Sequence, residues 1–90
     1  MAQATYSLLY KKSVEKDLRK LPKDIRVTTV KKIQALALDP MPLGVTKLRG
    51  TGGLYRIRYA DYRIIYQINK GELIILVIKV SHRRDVYRDY

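Results

Sequence analysis

The sequence predicts an α+β fold: a short N-terminal strand, an antiparallel helical hairpin, then a three-stranded antiparallel meander and a short C-terminal segment (β-α-α-β-β-β). Three observations predict it. Residues 5–10 are rich in strand formers. Apolar residues then recur at helical spacing from Ser13 to Leu38, with one interruption at Pro22. From Leu54 to Ser81 the pattern changes to two-residue alternation, broken twice by turn-forming residues.

In the first helix Ser13 is a suitable N-cap, and Val14, Leu18 and Leu21 mark its apolar side. Pro22 ends this helix and can open the next, because its fixed φ suits a first turn. In the second helix Ile25, Val27, Val30, Ile33, Ala37 and Leu38 form the expected buried side. Lys23, Arg26, Lys31 and Lys32 fall largely opposite, and the helix stops by Asp39-Pro40. Residues 41–45 read as a connecting loop marked by Pro42 and Gly44. Strands are expected over 54–59, 62–69 and 73–81, joined by Ala60-Asp61 and by Asn69-Lys70-Gly71-Glu72. Connections this short require antiparallel neighbours.

Side chains of a strand alternate between faces, which sorts the meander. Tyr55, Ile57 and Tyr59, then Tyr62, Ile64, Tyr66 and Ile68, then Ile74, Leu76, Ile78 and Val80 form the side expected against the helices. The other side carries Arg56, Arg58, Arg63, Gln67 and Lys79 among Ile65, Ile75 and Val77. Several guanidiniums on one face, with no alternating carboxylates, suit a polyanion better than burial.

A chain of 90 residues is expected to form one domain, residues 1–90. Its 47% hydrophobic content is that of a globular domain, not a disordered tail. The absence of cysteine removes disulfides and favours a cytoplasmic setting. The formal net charge is +11, and nine Lys/Arg against four Asp/Glu in residues 1–44 match ten against four in residues 45–90. The excess therefore belongs to the whole fold and steers it toward polyanions, RNA first. No stretch approaches the ~18 apolar residues that span a membrane, and no secretory h-region opens the chain.

Metal sites need several His, Cys or carboxylate ligands at set spacing, and one histidine with scattered carboxylates supplies no such cluster, so neither metal nor other cofactor is expected. No phosphate-binding loop or nucleophile elbow is present; Gly50-Thr51-Gly52-Gly53 has no following helix and reads as a flexible turn. What remains is basic: Arg56, Arg58, Arg63, Lys79, His82, Arg83 and Arg84, with Tyr87 close behind. RNA can be cut by such a set without a metal. The 2′-hydroxyl attacks the adjacent phosphorus while guanidiniums stabilise charge on the non-bridging oxygens. His82, the one side chain of a type that titrates near neutrality, is either an acid–base group or a residue that structures the strand end. Tyr87 suits base stacking or donation to a phosphate.

Lys47-Leu48-Arg49-Gly50, Leu54-Tyr55-Arg56-Ile57-Arg58, Asp61-Tyr62-Arg63-Ile64-Ile65-Tyr66-Gln67-Ile68 and Ser81-His82-Arg83-Arg84-Asp85-Val86-Tyr87 occur in an order and spacing that resemble the RelE toxins of the RelE/ParE toxin–antitoxin superfamily. The resemblance is strongest over residues 47–87. It implies a toxin that enters the ribosomal A site of the 70S ribosome and cuts bound mRNA, inhibiting translation, and that an acidic RelB-like antitoxin neutralises. Carried over by position, Arg58, Arg63, Arg83, Tyr87 and His82 are the catalytic candidates; Arg56, Lys47, Arg49, Lys79 and Arg84 are the RNA-binding ones. One departure matters: well-studied RelE-type sequences have lysines where this chain has Arg56 and Arg58. Arginine keeps its proton and is no general base, so proton removal would pass to His82, Tyr87 or a ribosomal group. Two rivals stand beside this reading: a ParE-like gyrase inhibitor without nuclease activity, and a stand-alone RNA-binding module, which would want exposed paired aromatics.

Overall fold

The computed structural model describes residues 5–50 and 52–83. In chain order they form β1 (Ser7–Tyr10), α1 (Lys12–Arg19), α2 (Lys23–Ala35), β2 (Thr46–Lys47), β3 (Leu54–Tyr59), β4 (Tyr62–Asn69) and β5 (Ile74–His82). One sheet holds all five strands in the order β1-β5-β4-β3-β2. The meander β3-β4-β5 is antiparallel, as the short turns require. β1 joins it in parallel to β5, Ser7 opposite Ile74 and Tyr10 opposite Val77. The helical hairpin carries the chain from β1 at one edge of the sheet to β2 at the other, and the meander then returns to place β5 beside β1.

Pro22 occupies the N-cap of α2, and its carbonyl accepts the Arg26 N–H at 2.8 Å. Ser13, expected as a cap, lies inside α1 instead; Lys11 holds the cap position without a side-chain bond. β2 is an addition that follows directly on the loop read over residues 41–45. Thr46 and Lys47 pair with Arg56 and Tyr55, and the Leu48 N–H donates to the Leu54 carbonyl at 2.9 Å. Gly50, Gly52 and Gly53 make that turn at φ of 71°, 72° and 102°, where a side chain would be strained.

Two face assignments change. On α2 the buried positions are Thr29, Ile33 and, just past the helix, Leu36, whereas Val27 is 45% and Leu38 59% exposed. Helical spacing from Ile25 through Thr29 to Ile33 turns Thr29 inward, its γ-methyl serving as the apolar surface. On β5 the pairing steps from Ile65 opposite Lys79 to Tyr66 opposite Val77, so Ile78 is an extra residue in a bulge. A bulge shifts the two-residue alternation by one. Ile75, Val77 and Val80 therefore all reach the helix side and join the core, where strict alternation expected Ile74, Leu76, Ile78 and Val80. Ile75 and Val77 are thereby removed from the arginine face. Ile65 stays there, opposite Arg56, and is fully buried.

The core joins Val14, Leu21, Ile33 and Leu36 of the helical layer to Ile57, Ile64, Tyr66, Ile75, Val77 and Val80 of the sheet. Tyr66 is wholly buried, and its hydroxyl donates to the Pro40 carbonyl at 2.7 Å, fastening the α2–β2 connection to the sheet. Burial, with Asp39 and Tyr55 nearby, pushes this hydroxyl far above the ordinary tyrosine range, so it stays a donor. β1 ends opposite Val77 while β5 runs on to His82. Asp17 of α1 covers that outer edge: its Oδ2 accepts the Val80 N–H at 3.1 Å, and Lys79 Nζ lies 3.7 Å from its Oδ1.

Candidate nucleic-acid interface

The register of the meander builds the site. Arg58 stands directly opposite Arg63 across β3 and β4, next to the Ala60-Asp61 turn that joins them. Like charges opposed in a sheet cost roughly 0.2–1 kcal/mol. A fold that carries this cost at a hairpin tip gains a place where an anion is welcome. Ala60 makes the turn at φ 53°, a left-handed conformation that an L-residue adopts under strain.

Tyr62 pairs with His82, so the next step along both strands sets Asp61 beside Arg83. The Arg83 N–H donates to the Asp61 carbonyl at 2.6 Å, and Arg83 Nε lies 3.5 Å from Asp61 Oδ1. Arg58, Ala60, Asp61, Tyr62, Arg63 and Arg83 line a cleft of about 210 Å³. Three guanidiniums against one carboxylate leave it net positive. Arg56, two residues before Arg58 and half-buried, continues the basic face; the Nε atoms of Arg56 and Arg63 are shielded from solvent.

The other candidates lie elsewhere. His82 meets the Tyr62 ring edge-to-face, centroids 5.1 Å apart at 90°. It lines a separate cleft of about 480 Å³ together with Asp17, Lys20 and Lys79. The structure thus does not bring His82 into the arginine cleft, and it ties Lys79 to α1. Lys47 and Arg49 line a third cleft, about 610 Å³, around Gly50, Gly52 and Gly53. Lys47 pairs with Tyr55, three residues from Arg58, which is about 10 Å along a strand. Arg84 and Tyr87 fall outside the described residues, as does Thr51.

Sequence reasoning left two residues out of the site. Asp61 read as one more turn carboxylate, and Asp17 was not singled out at all. The signal for Asp61 is register: once Tyr62 is known to oppose His82, Arg83 must come to the hairpin tip. Asp17 has no comparable signal, because its partner is a backbone N–H 63 positions away.

This geometry can hold a phosphate and stabilise negative charge as it develops there. Comparison with known proteins agrees in fold and sequence. A family described as "ParE toxin of type II toxin-antitoxin system, parDE" matches residues 8–87. Toxin RelG of Mycobacterium tuberculosis is 29% identical over 84 residues, covering 92% of this chain and 97% of its own. The mRNA interferase toxin RelE of Escherichia coli K12 is 31% identical over 88 residues, covering 93% and 92%. RelE in the crystal structure of the archaeal RelE–RelB complex from Pyrococcus horikoshii OT3 superimposes with a TM-score of 0.79 at 36% identity, covering 91% of this chain and 99% of that one. Two helices over a mostly antiparallel five-stranded sheet, and a family match along nearly the whole chain, place it in the RelE/ParE superfamily as a RelE-type toxin.

Proposed function

We propose that this toxin is an endoribonuclease that cuts mRNA in the ribosomal A site and so arrests translation. The observation that carries the reading is the cleft of about 210 Å³ that Arg58, Arg63 and Arg83 line together. The 2′-oxygen attacks the neighbouring phosphorus, the bond to the 5′-oxygen breaks, and, once that oxygen takes a proton from solvent, a 2′,3′-cyclic phosphate and a 5′-hydroxyl result. Arg58, Arg63 and Arg83 hold the phosphate and neutralise the charge that grows on its non-bridging oxygens, a role that needs no metal. Arg56 contacts a neighbouring phosphate. Neither Arg56 nor Arg58 can accept the 2′-hydroxyl proton, and His82 faces another cleft; Tyr87 or a ribosomal group takes it. The relative from Escherichia coli is named an mRNA interferase, which supports the reaction class.

The cognate partner is an acidic antitoxin, by analogy with the RelE–RelB complex from Pyrococcus horikoshii. Such a partner would complement the +11 charge, and an initially disordered one would wrap the toxin as a docked helix or added strand. Among the described residues no helix is long and apolar enough to cross a membrane, and the cytoplasm is the compartment where ribosomes are met. Mapping mRNA ends on translating ribosomes after induction tests the proposal. Codon-phased cuts in the A site are expected, and their absence would sink it.

The matching family's description names ParE, which favours one second reading, inhibition of DNA gyrase. Loss of supercoiling with intact translation after induction would decide for it.

A further inference from the structure

We propose that the cleft between the end of α1 and the outer edge of β5 is a second RNA subsite, which takes the phosphate and sugar of a nucleotide flanking the cut. This rests on the nuclease reading and extends it from the arginine face round to the outer edge of the sheet, where residues from both faces of β5 line the cleft. Cations reach the cleft from two elements, Lys20 at the C-cap of α1 and Lys79 on β5, with His82 at the strand end. The one carboxylate lining it, Asp17, is already engaged at both oxygens, by the Val80 N–H at 3.1 Å and by Lys79 Nζ at 3.7 Å. The lining therefore stays net positive before His82 is counted. The end of α1 presents the negative pole of the helix dipole, which disfavours an anion on the backbone there. The phosphate contacts consequently fall to the side chains of Lys20 and Lys79.

Size and position fit a flanking nucleotide. The cleft holds about 480 Å³, against about 210 Å³ at the arginines, where a phosphate alone would sit. Tyr62 lines both clefts, so a strand leaving the arginines turns round the end of the sheet across one aromatic side chain. The edge-to-face pair of Tyr62 and His82 offers that strand an apolar wall for sugar or base.

The test uses the intact chain and two RNA probes made uncleavable by 2′-deoxy substitution at the cut, a dinucleotide and a hexanucleotide, titrated with salt. Lys20→Ala is expected to weaken the hexanucleotide about fivefold and to flatten its log–log salt slope by about 0.7, one phosphate contact on a single strand. The dinucleotide, too short to reach beyond the arginines, should bind unchanged. Lys12→Ala removes the same charge from the far end of α1 and should leave both probes unaffected. Equal losses in Lys20→Ala and Lys12→Ala, or equal losses for both probes, would reduce the effect to general charge and overturn the subsite. So would a loss confined to an acidic peptide with RNA binding intact. Arg58→Ala separates the two levels of inference. If it weakens both probes while Lys20→Ala weakens neither, the subsite alone is wrong; if neither substitution matters, the nuclease reading falls with it.

Discussion

Arg83 is held to Asp61 twice, through its backbone N–H at 2.6 Å from the Asp61 carbonyl and through Nε at 3.5 Å from Oδ1. Both side chains are more than half exposed, so the ion pair adds little stability. Its consequence is orientation. With Nε turned to Asp61, the guanidinium is anchored beside the cleft while most of it stays exposed to a ligand.

Asp61→Asn separates positioning from charge. Removing a negative group beside the cleft should leave RNA affinity equal or higher, while loss of the fixed Arg83 should slow cleavage by about tenfold. Binding and single-turnover cutting, measured on the same variant, read the two separately. A variant that binds and cuts better would show Asp61 to be only an unfavourable charge.

Arg83→Ala should abolish toxicity with the fold intact, and Arg49→Ala should not. Loss of one preorganised donor to transition-state charge costs about 10²–10³ in rate, and Arg83 lines the arginine cleft whereas Arg49 lines the glycine-rich one. Growth after induction, with circular dichroism as the folding control, distinguishes them. Equal effects of the two substitutions would mean the site is misplaced.

Tyr66→Phe removes the hydroxyl that reaches Pro40 and should cost about 1 kcal/mol, with somewhat more if the Pro40 carbonyl stays buried without a partner. The pH dependence should change as well. Burial raises the folded-state value, so the folded chain keeps this proton where the unfolded chain has lost it. The associated stability is complete below about pH 10 and falls as pH rises further. Urea midpoints from pH 8 to 11 should therefore decline less steeply in Tyr66→Phe than in the parent.

Thr29→Val should stabilise. Thr29 is fully buried and its Oγ1 has no hydrogen-bond partner among the described residues, while a second methyl of similar shape needs none. A gain of about 1 kcal/mol would raise Tm by about 4–8 °C in a domain of this size. A lowered Tm would show that the hydroxyl is satisfied in solution.

Local pattern determined much of this protein. Pro22 between two runs of helical spacing, Ala60-Asp61 between alternating runs, and Asn69 to Glu72 each act within a few residues, so the hairpins and the helical pair were legible before any contact was known. The alternation that sets Arg56 and Arg58 on one face is local too, and it survived in the fold. Three decisions were tertiary. The parallel docking of β1 on β5 depends on how the helical hairpin packs, which no short window encodes. The bulge at Ile78 moves Ile75 and Val77 into the core because the burial gained there outweighs one lost ladder position, an energy summed over the whole interface. That register in turn divided the basic constellation. Arg58, Arg63 and Arg83 meet at the hairpin tip around Asp61, while His82, one residue from Arg83 in sequence, faces α1 across the sheet. Neighbouring residues of a strand point to opposite faces, and only the tertiary structure decided what waits on each.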